Sequence, residues 1–230
     1  MTKQALNPLF TSFANDLKGT NLTKDFQTIF KDHDGNWDEI KPKLESNKAF
    51  EAVLPKLEFT QNLMVFSNNN EGFVAHFQQD SAINFVSDIG LKLNREAFVA
   101  QVRDFAPKGE DKMAFANNYF NQVFNQAPTG IMVNMIEDPK VSLLNNDKVL
   151  GKYVSQILRE NLDFLTTKSA YDIVDNEENF KDIPTEKQQE VKNMIKDLNR
   201  VKSFSPTPEI FNASFEAKLT SSNKFTALPL

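Results

Sequence analysis

Apolar residues recur at three- and four-residue steps along nearly the whole chain, and no stretch shows the sustained apolar–polar alternation of a half-buried strand. That pattern restricts the fold to packed helices. Across 184–201 the apolar positions Val191, Met194, Ile195, Leu198 and Val201 share one helix face. Across 142–160 the stripe is Leu150, Tyr153, Val154, Ile157 and Leu158, and across 110–126 it is Met113, Ala116, Phe120, Val123 and Phe124. Asn94 is placed to cap a helix carrying Phe98, Val102 and Phe105, and Thr207 with Pro208 to start one carrying Ile210, Phe211 and Phe215. Thr185 and Gln188 have the spacing of a capping box, with Pro184 at the helix start.

The connections are short and built from Pro, Gly, Asn or Asp: 18–21, 33–36, 68–70, 107–109, 127–130, 145–147 and 205–208. Short loops make neighbouring helices antiparallel. The expected fold is therefore all-α over 1–230 as a single region, either a multi-helix bundle or an irregular, solenoid-like helical repeat. No long linker divides it.

Composition narrows the function. The 230 residues, 40% apolar, suffice for a real core and argue against intrinsic disorder. Phenylalanine dominates the aromatics, 21 against one Trp and three Tyr. Phe fills gaps between helices with no polar group to satisfy, and an AT-rich genome would enrich it equally. A net charge of −5 with no basic stripe disfavours nucleic acid as a partner. The absence of cysteine rules out disulfides and thiolate metal sites. Residues 1–13 carry no signal-peptide pattern, and the most apolar run, 131–136, is too short to span a membrane.

The chain also resembles itself at an offset of about 138 residues. Phe66-Ser67 corresponds to Phe204-Ser205, Glu71 to Glu209, Phe73 to Phe211, Ala75 to Ala213 and Phe77 to Phe215. After a two-residue slip, Ile83 falls on Leu219 and Ile89 on Phe225. Upstream, at a slightly larger offset, Thr23 falls on Thr166, Asp32 on Asp175, Trp37 on Phe180 and Ile40 on Ile183. The expected units are 21–138 and 164–230, the second incomplete. With apolar Phe225, Leu228 and Leu230 at its end, the chain reads as a piece of a longer array or a piece that docks onto something.

Several segments resemble a known family. Across 185–201, then Ser205 to Glu209, then Leu219 to Ser222, the order is a long helix, a Ser/Thr-Pro turn, a short helix and Leu-Thr-Ser. Asp163-Phe164-Leu165-Thr166-Thr167 precedes it, and Asp88-Ile89-Gly90 with Asn94 to Phe98 forms a second element, followed by Tyr119 to Gln126 and Ala127-Pro128-Thr129. This sequence of elements is similar to the A components of insecticidal toxin complexes, the Tc toxins, and related large bacterial proteins labelled neuraminidase-like. The likeness covers about 55–230. It departs at Ser221 to Lys224, where the usual apolar residue after Thr-Ser is missing. It implies a helical part of a scaffold or shell, made in the bacterial cytoplasm and exported or injected within a large complex. The implied partners are the rest of a longer polypeptide or toxin-complex subunits, with homo-oligomerisation through the parent protein. It implies no chemistry, since the chain has neither an Asp-box nor an arginine cluster for a sialic acid carboxylate.

The residues that chemistry would need are scattered. Asp32-His33-Asp34-Gly35-Asn36-Trp37 starts like a calcium loop, but Trp37 replaces the turn glycine and Lys43 the bidentate glutamate. His33 and His76 lie far apart, with no ligand partner at helical spacing. Asp175, Glu177, Glu178, Asp182 and Glu186 lie in a polar loop and helix start and read as solvated caps. The Phe73/Phe77 and Phe120/Phe124 stripes read as core, with a docking groove as the alternative. No phosphate-binding loop or nucleophile elbow occurs. No residue is assigned a catalytic, cofactor-binding or metal-binding role. The expected function is a non-enzymatic structural or interaction segment, with a stand-alone helical adaptor as the alternative.

Overall fold

The computed structural model describes residues 8–141, 143–144 and 147–219. Among them are thirteen α-helices and three short 3-10 turns, and the only β pairing is an isolated bridge from Phe164 to Lys168. The all-α expectation holds. The chain divides into two compact units, Met1–Val86 and Ser87–Leu230, and this division falls inside the first suspected repeat.

The first unit holds α1 (Pro8–Asp16), α2 (Thr23–Asp32), α3 (Trp37–Glu45), α4 (Leu54–Phe66) and α5 (Glu71–Gln78). Its centre is a phenylalanine cluster. Phe13 lies 5.2 Å from Phe26, and its ring stacks on Trp37 at 5.4 Å and 3° between planes. Phe26 also touches Phe30 and Phe50. Rings that pack at offset and tilted angles fill the space between short helices without leaving a polar group to satisfy. The turn from α2 to α3 closes through Gly35 at φ +74°, where an added Cβ would sit 2.9 Å from the Phe30 ring. Only glycine meets both conditions.

The second unit holds α6 (Val86–Lys92), α7 (Arg95–Val102), α8 (Lys112–Gln126), α9 (Pro128–Glu137), α10 (Lys148–Glu160), α11 (Ala170–Val174), α12 (Thr185–Phe204) and α13 (Pro208–Glu216). Helix α9 is its axis: Ile131, Met132 and Val133 are all buried, so it is apolar nearly all round. It meets α6 at two glycines. A Cβ on Gly90 would lie 2.6 Å from Ile131 Cγ1, and one on Gly130 would overlap the Ser87 carbonyl and sit 2.6 Å from the Leu91 nitrogen. Backbones can approach this closely only without side chains between them. Asn134 then ties the crossing by donating from Nδ2 to the Gly90 and Leu91 carbonyls at 2.9 and 3.2 Å. No described helix is long and apolar enough to cross a membrane.

Three local expectations are corrected. Residues 128–130 form no loop: Pro128 opens α9, and Thr129 and Gly130 complete its first turn. Thr185 and Gln188 make no capping box, because Pro184, with ψ 134°, occupies the N-cap position. The Gln188 amide instead donates to the Phe180 and Ile183 carbonyls, both at 3.1 Å. A complete box forms at α11, where Ser169 and Asp172 cap each other's backbone. Met113 and Ile210, expected on buried stripes, are exposed because both sit in the first turn of their helices, beyond the packed face. The expected caps at Asn94 and Thr207 do form, accepting from the backbone of Ala97 at 3.0 Å and Ile210 at 3.4 Å.

The self-similarity has a structural counterpart at one junction. Helix α4 ends at Phe66 and α12 at Phe204, and each is followed by a buried serine, Ser67 or Ser205. The next helix then carries two buried phenylalanines one turn apart, Phe73/Phe77 or Phe211/Phe215, with ring centroids at 4.7 and 5.1 Å. The intervening turns differ. The first passes through Asn68 and Asn69 at positive φ and is capped by Asn70; the second is one residue shorter and capped by Thr207. Upstream the match fades: Trp37 opens α3, whereas Phe180 closes a 3-10 turn. The suspected apolar edge at Phe225, Leu228 and Leu230 lies outside the described residues.

Candidate functional site

The second unit contains a groove of about 350 Å³ bounded by the starts of α7 and α13, by α9 and by the segment after it. Its floor is apolar, formed by Leu93, Phe120, Ile131 and Met135. Arg95 is the first residue of α7, where the helix dipole disfavours a cation. Glu209, near the start of α13, offsets this by pairing with Arg95 Nη1. Arg95 Nη2 donates to Asn121 Oδ1 at 3.0 Å, and the guanidinium lies 5.4 Å from the Phe120 ring centre. Arg95 Nε remains buried with no acceptor. One turn along α13 from Glu209, Asn212 donates from Nδ2 to Glu216 at 2.9 Å, which fixes its amide orientation. Its Oδ1 is buried with no donor.

A second, wider groove of about 690 Å³ runs along α9 and α10. Its centre is a fork: Arg159 donates from Nε and Nη2 to the two oxygens of Glu137 at 3.1 and 2.5 Å, and Ser155 also donates to Glu137. The Arg159 hydrogen bonds hold the Glu137 carboxyl below its ordinary range, with Ser155 adding to the effect. Asp147, Lys148, Lys152 and Glu160 also line this groove. With its oxygens engaged by donors, Glu137 acts as a pin between two helices.

A third cluster lies in the first unit. Thr60 donates to Asp16 Oδ2 at 2.6 Å, and Gln78 donates to Thr60 Oγ1 at 3.1 Å and to the Ser12 carbonyl at 2.8 Å. Asp16 is only 6% exposed, and its Oδ1 has no partner. Burial pushes its carboxyl up, against the opposing pull of Thr60, Gln78 and the Lys56 charge. Sequence reasoning missed this cluster because 44 residues separate Asp16 from Thr60, and no local pattern joins them.

The sequence candidates are dispersed among structural tasks. In the calcium-like stretch, Asn36 caps α3 and donates to Glu39 at 3.0 Å, while His33 Nδ1 lies 3.1 Å from Glu39. His76, in α5, sits edge-on to Phe77 at 4.9 Å. Glu177 and Glu178 open a 3-10 turn capped by Asn176, Asp175 ends α11 and Glu186 lies in the first turn of α12. Among the described residues, no three of His, Asp and Glu are grouped to hold a metal ion. Phe73, Phe77, Phe120 and Phe124 are all core, and Phe120 also lines the first groove. The Arg95–Asn212 pairing of elements could not have been read from spacing, since more than a hundred residues separate α7 from α13. Set against models of protein families, curated proteins and solved structures, the chain matches none of them.

Proposed function

We propose that the chain is a non-enzymatic structural and interaction segment of a large bacterial assembly of the Tc-toxin type, joined to the remainder of a longer polypeptide or to other subunits. The observation that supports this reading is the duplicated junction: a helix ending in Phe-Ser, a short turn, and a helix with two buried phenylalanines, once in each compact unit. Repetition of one packing solution along a chain is how extended scaffolds are assembled. The resemblance of 55–230 to segments of toxin-complex A components points the same way. An immunoblot of the source organism with antibody against this chain tests the proposal. A band several times larger than 26.2 kDa is the expected result, and a band at 26.2 kDa would sink it.

The alternative, a stand-alone helical adaptor that binds a peptide or protein, is favoured by one observation: the groove between α7, α9 and α13, with its apolar floor. Co-purification of one stoichiometric partner with a 26.2 kDa native chain would establish it.

A further inference from the structure

We propose that α1 is a hinged latch on the first unit, held closed by the proton on Asp16 and released about Gly19 when that carboxyl ionises. This goes beyond both functional readings and depends on neither.

Two side-chain hydrogen bonds tie α1 to other helices among the described residues, and both belong to one network. Asp16 Oδ2 accepts from Thr60 of α4 at 2.6 Å, while Gln78 of α5 donates to Thr60 Oγ1 at 3.1 Å and to the Ser12 carbonyl at 2.8 Å. Apolar contacts supply the rest: Phe10 and Phe13 pack on Phe26 and Phe30 of α2, and Phe13 also on Trp37. The carboxyl that ends the polar tie is 6% exposed, with one donor for its two oxygens and none at Oδ1. A neutral carboxyl tolerates one unanswered oxygen. An ionised one needs donors at both, and a buried charge without them is costly. Lifting α1 away relieves that cost by letting water reach the carboxylate.

The surroundings of Asp16 agree with this direction. Burial holds its carboxyl above the ordinary aspartate range, against the pull of Thr60, Gln78 and Lys56. Lys56 of α4 is the charged group that bears on it, and it favours the ionised form. From α5 the network receives the neutral amide of Gln78, and α2 meets α1 through phenylalanine rings. His76 of α5 packs edge-on against Phe77.

A hinge lies just beyond the latch. Helix α1 leads to α2 through 17–22, where Gly19 has φ +83° and no atom within 4 Å of the position a Cβ would take. Glycine there accepts a wide range of backbone angles, and nothing packs on it to resist their change. Release uncovers Phe10 and Phe13, which are 4% and 1% exposed in the closed form. The open form is therefore a minor population, and ionisation of Asp16 enlarges it.

Native-state hydrogen exchange of the 15N-labelled full chain from about pH 4 to 8, corrected for the intrinsic pH dependence of exchange, tests the latch. The amides of 12–16 are expected to be less protected than those of α2 and α4, because they exchange through a local opening. Their opening constant should rise by up to about tenfold per pH unit above the ordinary aspartate value, and level off once Asp16 is ionised in the closed form. In Asp16→Asn the rise should vanish, and in His76→Gln it should persist. The proposal is overturned if α1 shares the protection of α2 and α4 at every pH, since α1 then leaves only when the whole unit unfolds. An opening constant that does not change with pH would overturn it as well. So would a rise that survives in Asp16→Asn, by assigning the titration to another group. If Asp16→Asn does not fold, His76→Gln decides between the two titrating groups: a rise lost there removes Asp16 from the role.

Discussion

Asp16 carries the sharpest consequence of burial at the scale of one residue. Its carboxyl is held above the ordinary aspartate range, chiefly by loss of solvent, while the unfolded chain exposes an ordinary aspartate. Between the two values the folded state keeps a proton that the unfolded state has released. Stability from this group is therefore greatest at acid pH and falls as pH rises from the ordinary aspartate value through the raised one. Asp16→Asn keeps an acceptor for Thr60 and removes the ionisation. At neutral pH its urea midpoint should equal or exceed that of the wild type, and the decline of stability across this window should flatten. Thr60→Val does the opposite. It strips the carboxylate of its 2.6 Å donor and Gln78 of an acceptor, and should cost about 1–3 kcal/mol in urea unfolding at neutral pH, less when Asp16 is protonated.

At the scale of elements, the α6–α9 crossing decides how the second unit packs. Alanine is the better helix former by about 1 kcal/mol, so a propensity argument predicts that Gly130→Ala stabilises. The overlap with the Ser87 carbonyl and the Leu91 nitrogen reverses the sign: the variant should lose about 3 kcal/mol or more in thermal unfolding. Gly151 in α10 is the control. A Cβ there would meet only Ile136 Cγ2 at 3.4 Å, so Gly151→Ala should be neutral or stabilising by up to about 1 kcal/mol. This contrast also marks what was legible in the sequence. The helices α7, α8, α10, α12 and α13 are readable from their apolar steps, and α7 and α13 also from their caps, because both signals are local. Pro128-Thr129-Gly130 misled because its residue types are those of a turn, and only the proximity of α6 explains a glycine inside α9. Thr185 misled because the cap position had moved one residue back, to Pro184. The groove was illegible for the same reason as the Asp16 cluster: its parts meet only after distant helices pack.

At the scale of the whole molecule, two phenylalanine-filled units share one chain. Local opening follows such units, so damage to one core should be confined to it. In native-state hydrogen exchange, Gly130→Ala should lower amide protection across α6 to α13 and leave α1 to α4 at wild-type protection. Equal loss in both would mean that the units unfold as one. The position of the sole tryptophan gives this arrangement an optical consequence. Trp37 belongs to the first unit and lies flat against Phe13, so its emission reports the packing of that core. A chain whose second unit had come apart while the Phe13–Trp37 stack stayed closed should keep its tryptophan emission. The loss would register only in a signal that every helix contributes to, such as far-ultraviolet ellipticity.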